Sequence, residues 1–164
     1  EIELLFSVMN LESYLRLKKI GFKKYKIASR SLIDDVNLIK KIIRDKNQLI
    51  ISLGMWNKKT LPFGQNKNIK YLWCKSKYPT YLEDLKNFPN KFDSRKYYGY
   101  SDHYIGIEMC LHAISKGAKI IEKHFTLNKL DSTIRDHVLS ATPEEFKKLV
   151  DQGRILTKIF DKIR

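Results

Sequence analysis

Tyr97-Tyr-Gly-Tyr-Ser101, followed by Ile107-Glu-Met-Cys-Leu-His-Ala-Ile-Ser-Lys116 and Gly117-Ala-Lys-Ile-Ile-Glu122, is the stretch whose reading decides the fold. The aromatic run reads as a strand. The ten residues from Ile107 read as a helix, which Gly117 stops. Ala118 to Glu122 then reads as a second strand. A strand, a helix and a strand joined by short connections predict a parallel pair with a crossover helix. The same unit recurs towards the N-terminus. Leu4 to Val8 reads as a strand. Asn10 caps a helix carrying Leu11, Leu15, Leu17 and Ile20 on one stripe, and Gly21 ends it. Tyr25 to Ser29 is the next strand. A helix over Ile33 to Asp45 follows, with Val36, Ile39, Ile42 and Ile43 inward. Gln48 to Leu53 and Ile69 to Cys74 are further strands. Between Met55 and Asn68 no helical period exists and Pro62 would interrupt one, so a crossover helix is expected to be shortened or lost there. A last helix starts at Thr142, where Thr142 and Glu145 form a capping box and Pro143 takes the first helical position. This alternation predicts an α/β protein with parallel strands, either an open doubly wound sheet or a closed barrel. The absence of a Gly-rich phosphate loop after the first strand weakens the dinucleotide-binding form of the open sheet.

Composition narrows the classes. The 164 residues are 43% hydrophobic, too much for a disordered chain, and enough for one domain with a real core. No apolar run approaches the roughly 20 residues of a membrane helix. Glu1 to Phe6 lack the basic start and small-residue site of a secretory signal. Cys74 and Cys110 are too few and too far apart for a disulfide framework, so reduced thiols and a cytoplasmic location are expected. The net charge of +14 raises the question of a nucleic-acid partner. Lysine dominates, the basic residues are dispersed, and no Arg-rich block exists, so nucleic-acid binding is not expected.

Polar residues collect just past the apolar strand cores: Ser29, Ser52, Ser76, Tyr78, Ser101, Asp102, His103, Lys123 and His124. In parallel α/β folds these ends converge on the ligand-binding face. Small hydroxyls and lysines at adjacent strand ends suit a phosphate-bearing ligand. Any one serine alone reads as a cap or turn residue. His103 and His124 end consecutive predicted strands, 21 positions apart. One βα unit sets those strands side by side, so the two imidazoles can share a divalent metal; the alternative is a pair of hydrogen-bonded core histidines. His112 lies mid-helix and reads as structural.

Several segments in this order resemble the catalytic domain of the N-acetylneuraminate (sialic acid) synthase family. They are Lys26-Ile-Ala-Ser29, Ile51-Ser-Leu-Gly-Met55, Cys74-Lys-Ser-Lys-Tyr-Pro79, Gly99-Tyr-Ser-Asp-His103 and Gly117-Ala-Lys-Ile-Ile-Glu-Lys-His-Phe-Thr126, followed by Asp136-His137, Ser140 and Pro143-Glu-Glu-Phe146. The resemblance implies a TIM-type β/α barrel. It also implies condensation of phosphoenolpyruvate with an N-acetylated sugar such as N-acetylmannosamine, assisted by a divalent metal, Mn2+ or alternatively Mg2+ or Co2+. By resemblance His103 and His124 are the metal ligands. Lys26, Ser29, Ser52, Ser76 and Ser101 bind phosphoenolpyruvate, and the catalytic residues Tyr78 and Asp136 face the sugar. Asp102 reads either as a turn residue or as a support behind His103, and Glu122 as an interior ion-pair partner.

The chain departs from the family pattern at Val8, Ser31, Leu53 and Lys75, which replace hydroxyl or acidic residues. The resemblance covers strands three to eight of the barrel. The first two βα units and the C-terminal antifreeze-like domain have no counterpart, so residues 1–164 are expected to be a single partial barrel domain. Against a barrel of about 250 residues the chain is short by roughly a third. The expectation is a fragment or truncated product, inactive alone, completed by an N-terminal segment or by a homodimer. A legionaminic, pseudaminic or spore-coat sugar synthase, and a degenerate non-catalytic relative, are the alternative readings.

Overall fold

The computed structural model describes residues 2–163. The chain divides into two compact units, one running to Leu72 and the other starting at Trp73.

In the first unit, strands β1 (Phe6–Ser7), β2 (Lys24–Ile27), β3 (Gln48–Ser52) and the start of β4 (Ile69–Cys74) lie in chain order, each parallel to the next. Helix α1 (Leu11–Ile20) has the ends read from the sequence. The Asn10 side chain accepts the Ser13 N–H at 2.8 Å, and Ser13 Oγ accepts the Asn10 N–H at 3.2 Å. Gly21 closes α1 at φ 101°, a left-handed conformation that only glycine adopts without strain. The single helix expected over Ile33 to Asp45 is two helices, α2 (Ser29–Asp34) and α3 (Val36–Arg44). Asp35 divides them: it ends α2, and its carboxylate accepts the Leu38 N–H at 2.9 Å to cap α3. The apolar period of Val36, Ile39, Ile42 and Ile43 belongs to α3 alone. Tyr14, Tyr25, Ile27, Leu32, Ile39, Ile42, Leu49 and Ile51 form this unit's core. No helix forms between β3 and β4, where Pro62 stands.

In the second unit, β5 (Gly99–Asp102) and β6 (Ile120–Lys123) are parallel, in the register Gly99↔Ile120 to Asp102↔Lys123. Helix α4 (Glu108–Ser115) is the crossover, and α5 (Pro143–Ile163) ends the described chain. The capping box at α5 forms as read: Thr142 N–H donates to Glu145 at 2.9 Å, and Thr142 Oγ1 accepts the Glu145 N–H at 3.3 Å. Gly99 is required by close approach, since a Cβ there would sit 2.0 Å from the Ile120 carbonyl oxygen. Phe92, Tyr100, Ala113 and Ala118 form one core cluster, and Ile107, Cys110, Ile114 and Leu149 another. Both cysteines are buried free thiols. Among the described residues no helix is long and apolar enough to cross a membrane.

Candidate active site

The chemistry-bearing residues of the second unit gather where β5 and β6 end. His103 directly follows β5. Its carbonyl accepts the Thr80 N–H at 2.8 Å, which ties the strand end to the segment after β4. His124 directly follows β6, and its carbonyl accepts the Ala141 N–H at 2.7 Å. Parallel pairing of the two strands therefore brings the imidazoles together, with ring centroids 5.3 Å apart. His103 Nδ1 lies 2.8 Å from the Lys75 carbonyl oxygen, which only accepts, so Nδ1 carries the proton and Nε2 keeps its lone pair. Burial pushes the His103 pKa below the usual 6.5, the neighbouring His124 acts in the same direction, and the bond to Lys75 only partly offsets them. At neutral pH His103 is thus an uncharged imidazole.

Tyr78 and Asp136 join this pair. The Tyr78 ring lies 4.0 Å from the His103 ring and 6.0 Å from that of His124. Its phenol pKa is raised, first by burial and then by the nearby Cys74, Asp136 and Glu122, so it stays a neutral proton donor. Asp136 sits in the 3-10 turn Arg135–His137, with Oδ2 4.0 Å from His124 Nδ1. The exposed Arg135 spans both groups: its Nε is 3.4 Å from Asp136 Oδ1, and its guanidinium lies 5.4 Å from the Tyr78 ring centroid. Nothing in the sequence alone marks Arg135 itself as part of the site. Its neighbour Asp136 was the signal, but stacking on Tyr78 is a tertiary contact. Among the described residues, Ser76 Oγ and Asp136 Oδ1 are buried with no hydrogen-bond partner. Buried polar atoms normally find one, so these two suit a bound polar ligand. Ser101 is buried within β5.

The donor set suits a divalent cation of intermediate softness, which imidazole nitrogens bind. Fixing of His103 by a carbonyl at its far nitrogen is the usual support for a ligating histidine. Among the described residues no group of three or more His, Cys, Asp or Glu side chains converges as a metal cage. The chain would thus contribute two ligands and leave the other positions open.

Lys123, read from the sequence as suited to an anionic ligand, serves a different purpose. Its side chain is 1% exposed and its Nζ lies 2.7 Å from Asp102 Oδ2. Asp102 is the centre of a buried network rather than a turn residue. It also accepts from Tyr100 Oη at 2.6 Å, the Tyr104 N–H at 2.9 Å and Cys110 Sγ at 3.2 Å. His112 packs against Phe88, as a structural histidine would, and His137 hydrogen-bonds Thr126.

In the first unit, Lys26 is buried in β2 and its Nζ donates to the Ile27 carbonyl at 2.9 Å. Ser29 opens α2, where its Oγ accepts the Gly54 N–H at 2.9 Å. Ser52 is buried at the last position of β3.

Comparison with known proteins bears on the family and the fold. A profile described as the NeuB family matches residues 1–164. The N,N'-diacetyllegionaminic acid synthase of Campylobacter jejuni is 36% identical over 96% of this chain and 50% of its own length. A sialic acid synthetase from Leptospira borgpetersenii, solved with citrate, superposes with a TM-score of 0.71 at 27% identity, covering 92% of this chain and 55% of that one. A spore coat polysaccharide biosynthesis protein from Bacillus subtilis gives a TM-score of 0.74 at 26% identity, covering 95% of this chain and 46% of that one. The chain spans about half the length of the curated relatives it matches. Its α/β fold is accordingly a TIM-type barrel present in part. A profile match over the full length, relatives that make sialic acid-type sugars and a shared fold lead to one conclusion: the chain belongs to the NeuB family.

Proposed function

We propose that this chain is part of a cytoplasmic synthase that condenses phosphoenolpyruvate with an N-acetylated sugar of the N-acetylmannosamine type. One water is consumed, the product is a 2-keto acid with a nine-carbon backbone, and phosphate is released. One observation carries the reading: His103 and His124 stand 5.3 Å apart beside Tyr78 and Asp136, in a chain of the NeuB family. Similarity to the Campylobacter jejuni enzyme makes N,N'-diacetyllegionaminic acid the second reading for the product. The strands of a complete barrel that this chain does not supply would come from a further segment or a second copy.

His103 and His124 would hold a divalent metal, Mn2+ in this reading, which when bound supplies Lewis acidity toward the sugar's aldehyde oxygen. The chain's own residues orient and protect. His103 is kept neutral, and its Nε2 free, by burial and by the Lys75 carbonyl. Tyr78, neutral at working pH, donates a hydrogen bond to a sugar oxygen and walls one side of the pair. Asp136 accepts a hydrogen bond from the sugar or a water through Oδ1, which makes no hydrogen bond within the chain. Ser76 Oγ, buried and without a hydrogen bond, donates to the phosphate or carboxylate of phosphoenolpyruvate, and Ser101, buried in β5, is a second hydroxyl for it.

Manganese electron paramagnetic resonance tests the reading. Adding the chain is expected to diminish the free-ion signal, and His103→Ala combined with His124→Ala to restore it. A wild-type chain that takes up no Mn2+ would remove the metal from the proposal.

A further inference from the structure

We infer that the buried Asp102–Lys123 ion pair is a positioning device that sets the spacing of His103 and His124; the inference rests on the reading of those histidines as metal ligands. Asp102 and Lys123 are direct partners in the parallel register of β5 and β6. Each immediately precedes one of the two histidines. Alternation along a strand turns their side chains to the face opposite the residue that follows. There the ion pair meets the crossover helix, where Cys110 of α4 donates to Asp102.

The backbone just after His103 is gripped from both strands. The Asp102 carboxylate accepts the Tyr104 N–H at 2.9 Å, while Lys123 Nζ donates to the Tyr104 carbonyl as well as to Asp102. The two peptide units flanking Tyr104, the first of them shared with His103, are thus clamped by the side chain before His103 on β5 and by the side chain before His124 on β6. Tyr100 Oη and Cys110 Sγ complete the carboxylate's hydrogen bonds. At 0% and 1% exposure the two side chains have no water to fall back on, so their geometry is held closely. A buried ion pair is weak evidence for stability, since an apolar pair of similar volume often folds as well. Its position here argues for geometry instead: it fixes the one distance that two metal-binding imidazoles on separate strands require.

The test is Mn2+ affinity, read by electron paramagnetic resonance or calorimetry, alongside thermal unfolding of the metal-free chain. Three variants are compared: Lys123→Met, Lys123→Arg, and Asp102→Leu with Lys123→Met. The double variant leaves no uncompensated buried charge and is the one expected to fold best. It is expected to lose about 10- to 100-fold in Mn2+ affinity. Lys123→Arg, which keeps a cation on the carboxylate, is expected to recover part of that loss. The manganese hyperfine pattern should broaden in the double variant, as the two imidazoles lose their fixed spacing. A folded double variant with wild-type Mn2+ affinity and an unchanged spectrum would overturn the inference. A wild-type chain that binds no Mn2+ would instead overturn the reading beneath it.

Discussion

Lys26, Ser29 and Ser52 in the first unit occupy the same kind of place as Ser76, Tyr78, His103 and His124 in the second: the polar edge of a parallel sheet. What they do there differs. In the first unit Lys26 is turned onto the Ile27 carbonyl, and Ser29 holds the Gly54 amide after β3. Ser29 thus serves a loop, and Lys26 the end of its own strand. In the second unit the loop-holding work passes to Asp102 and Lys123, on the other face of the strands. That leaves Ser76 Oγ and Asp136 Oδ1 without hydrogen bonds and His103 Nε2 with a free lone pair. A strand end becomes a binding surface when the backbone around it is satisfied by something else.

Ser29→Ala should sharpen this contrast most. It removes the acceptor for the Gly54 N–H in a half-buried setting and should cost about 1–3 kcal/mol in urea denaturation. A loss close to zero would mean that Ser29 is no more committed to its loop than Ser76.

The pH dependence separates the units by a smaller effect. The folded-state pKa of His103 lies below its unfolded value, chiefly through burial. Unfolded chains then bind the extra proton first, so this contribution to stability is complete above about pH 6.5 and is lost as pH falls through the folded pKa. In the first unit Asp45 is held below the usual carboxylate pKa of 3.8 by hydrogen bonds from Lys18 and then Tyr14. Its contribution is complete above that value and is lost only as pH falls through the still lower folded pKa. Amide hydrogen exchange on the metal-free chain should therefore show protection in the second unit declining before that in the first as pH is lowered. The order should disappear in His103→Asn. Simultaneous decline in the wild type would break the comparison.

Ser76→Ala should change least. Its Oγ has no partner to lose, so stability should stay within about 0.5 kcal/mol by urea denaturation. A loss as large as that of Ser29→Ala would show that Ser76 is bound into the loop structure after all.

Much of the architecture was legible before any coordinates. Asn10 and Gly21 bracket α1, Ile69 to Cys74 is a strand to the residue, and Thr142, Pro143 and Glu145 open α5. These are local signals, in which caps, turns and apolar spacing act within a few residues. The division of α2 from α3 was less legible, because the apolar period runs on while one Asp35 cap redirects the backbone. Strand β1 is shorter than the apolar run Leu4 to Val8, and Leu4, Leu5 and Phe6 are exposed. At the candidate site, His103 and His124 could be paired from their places after consecutive strands. Lys123 could not be read correctly, since a lysine at a strand end looks the same whether it faces a ligand or a buried carboxylate.

The sequence by itself determined the alternation of strands and helices, their caps, the family and the two histidines at neighbouring strand ends. These follow from short-range periodicity and from motifs that survive in order along the chain. Only the tertiary structure decided which polar groups are spent on the backbone and which stay open. It turned Lys123 onto Asp102, laid Arg135 over Tyr78 and left Ser76 unpartnered. Those outcomes depend on register between strands and on burial. Both arise from contacts between residues far apart in the chain, and no local pattern encodes them.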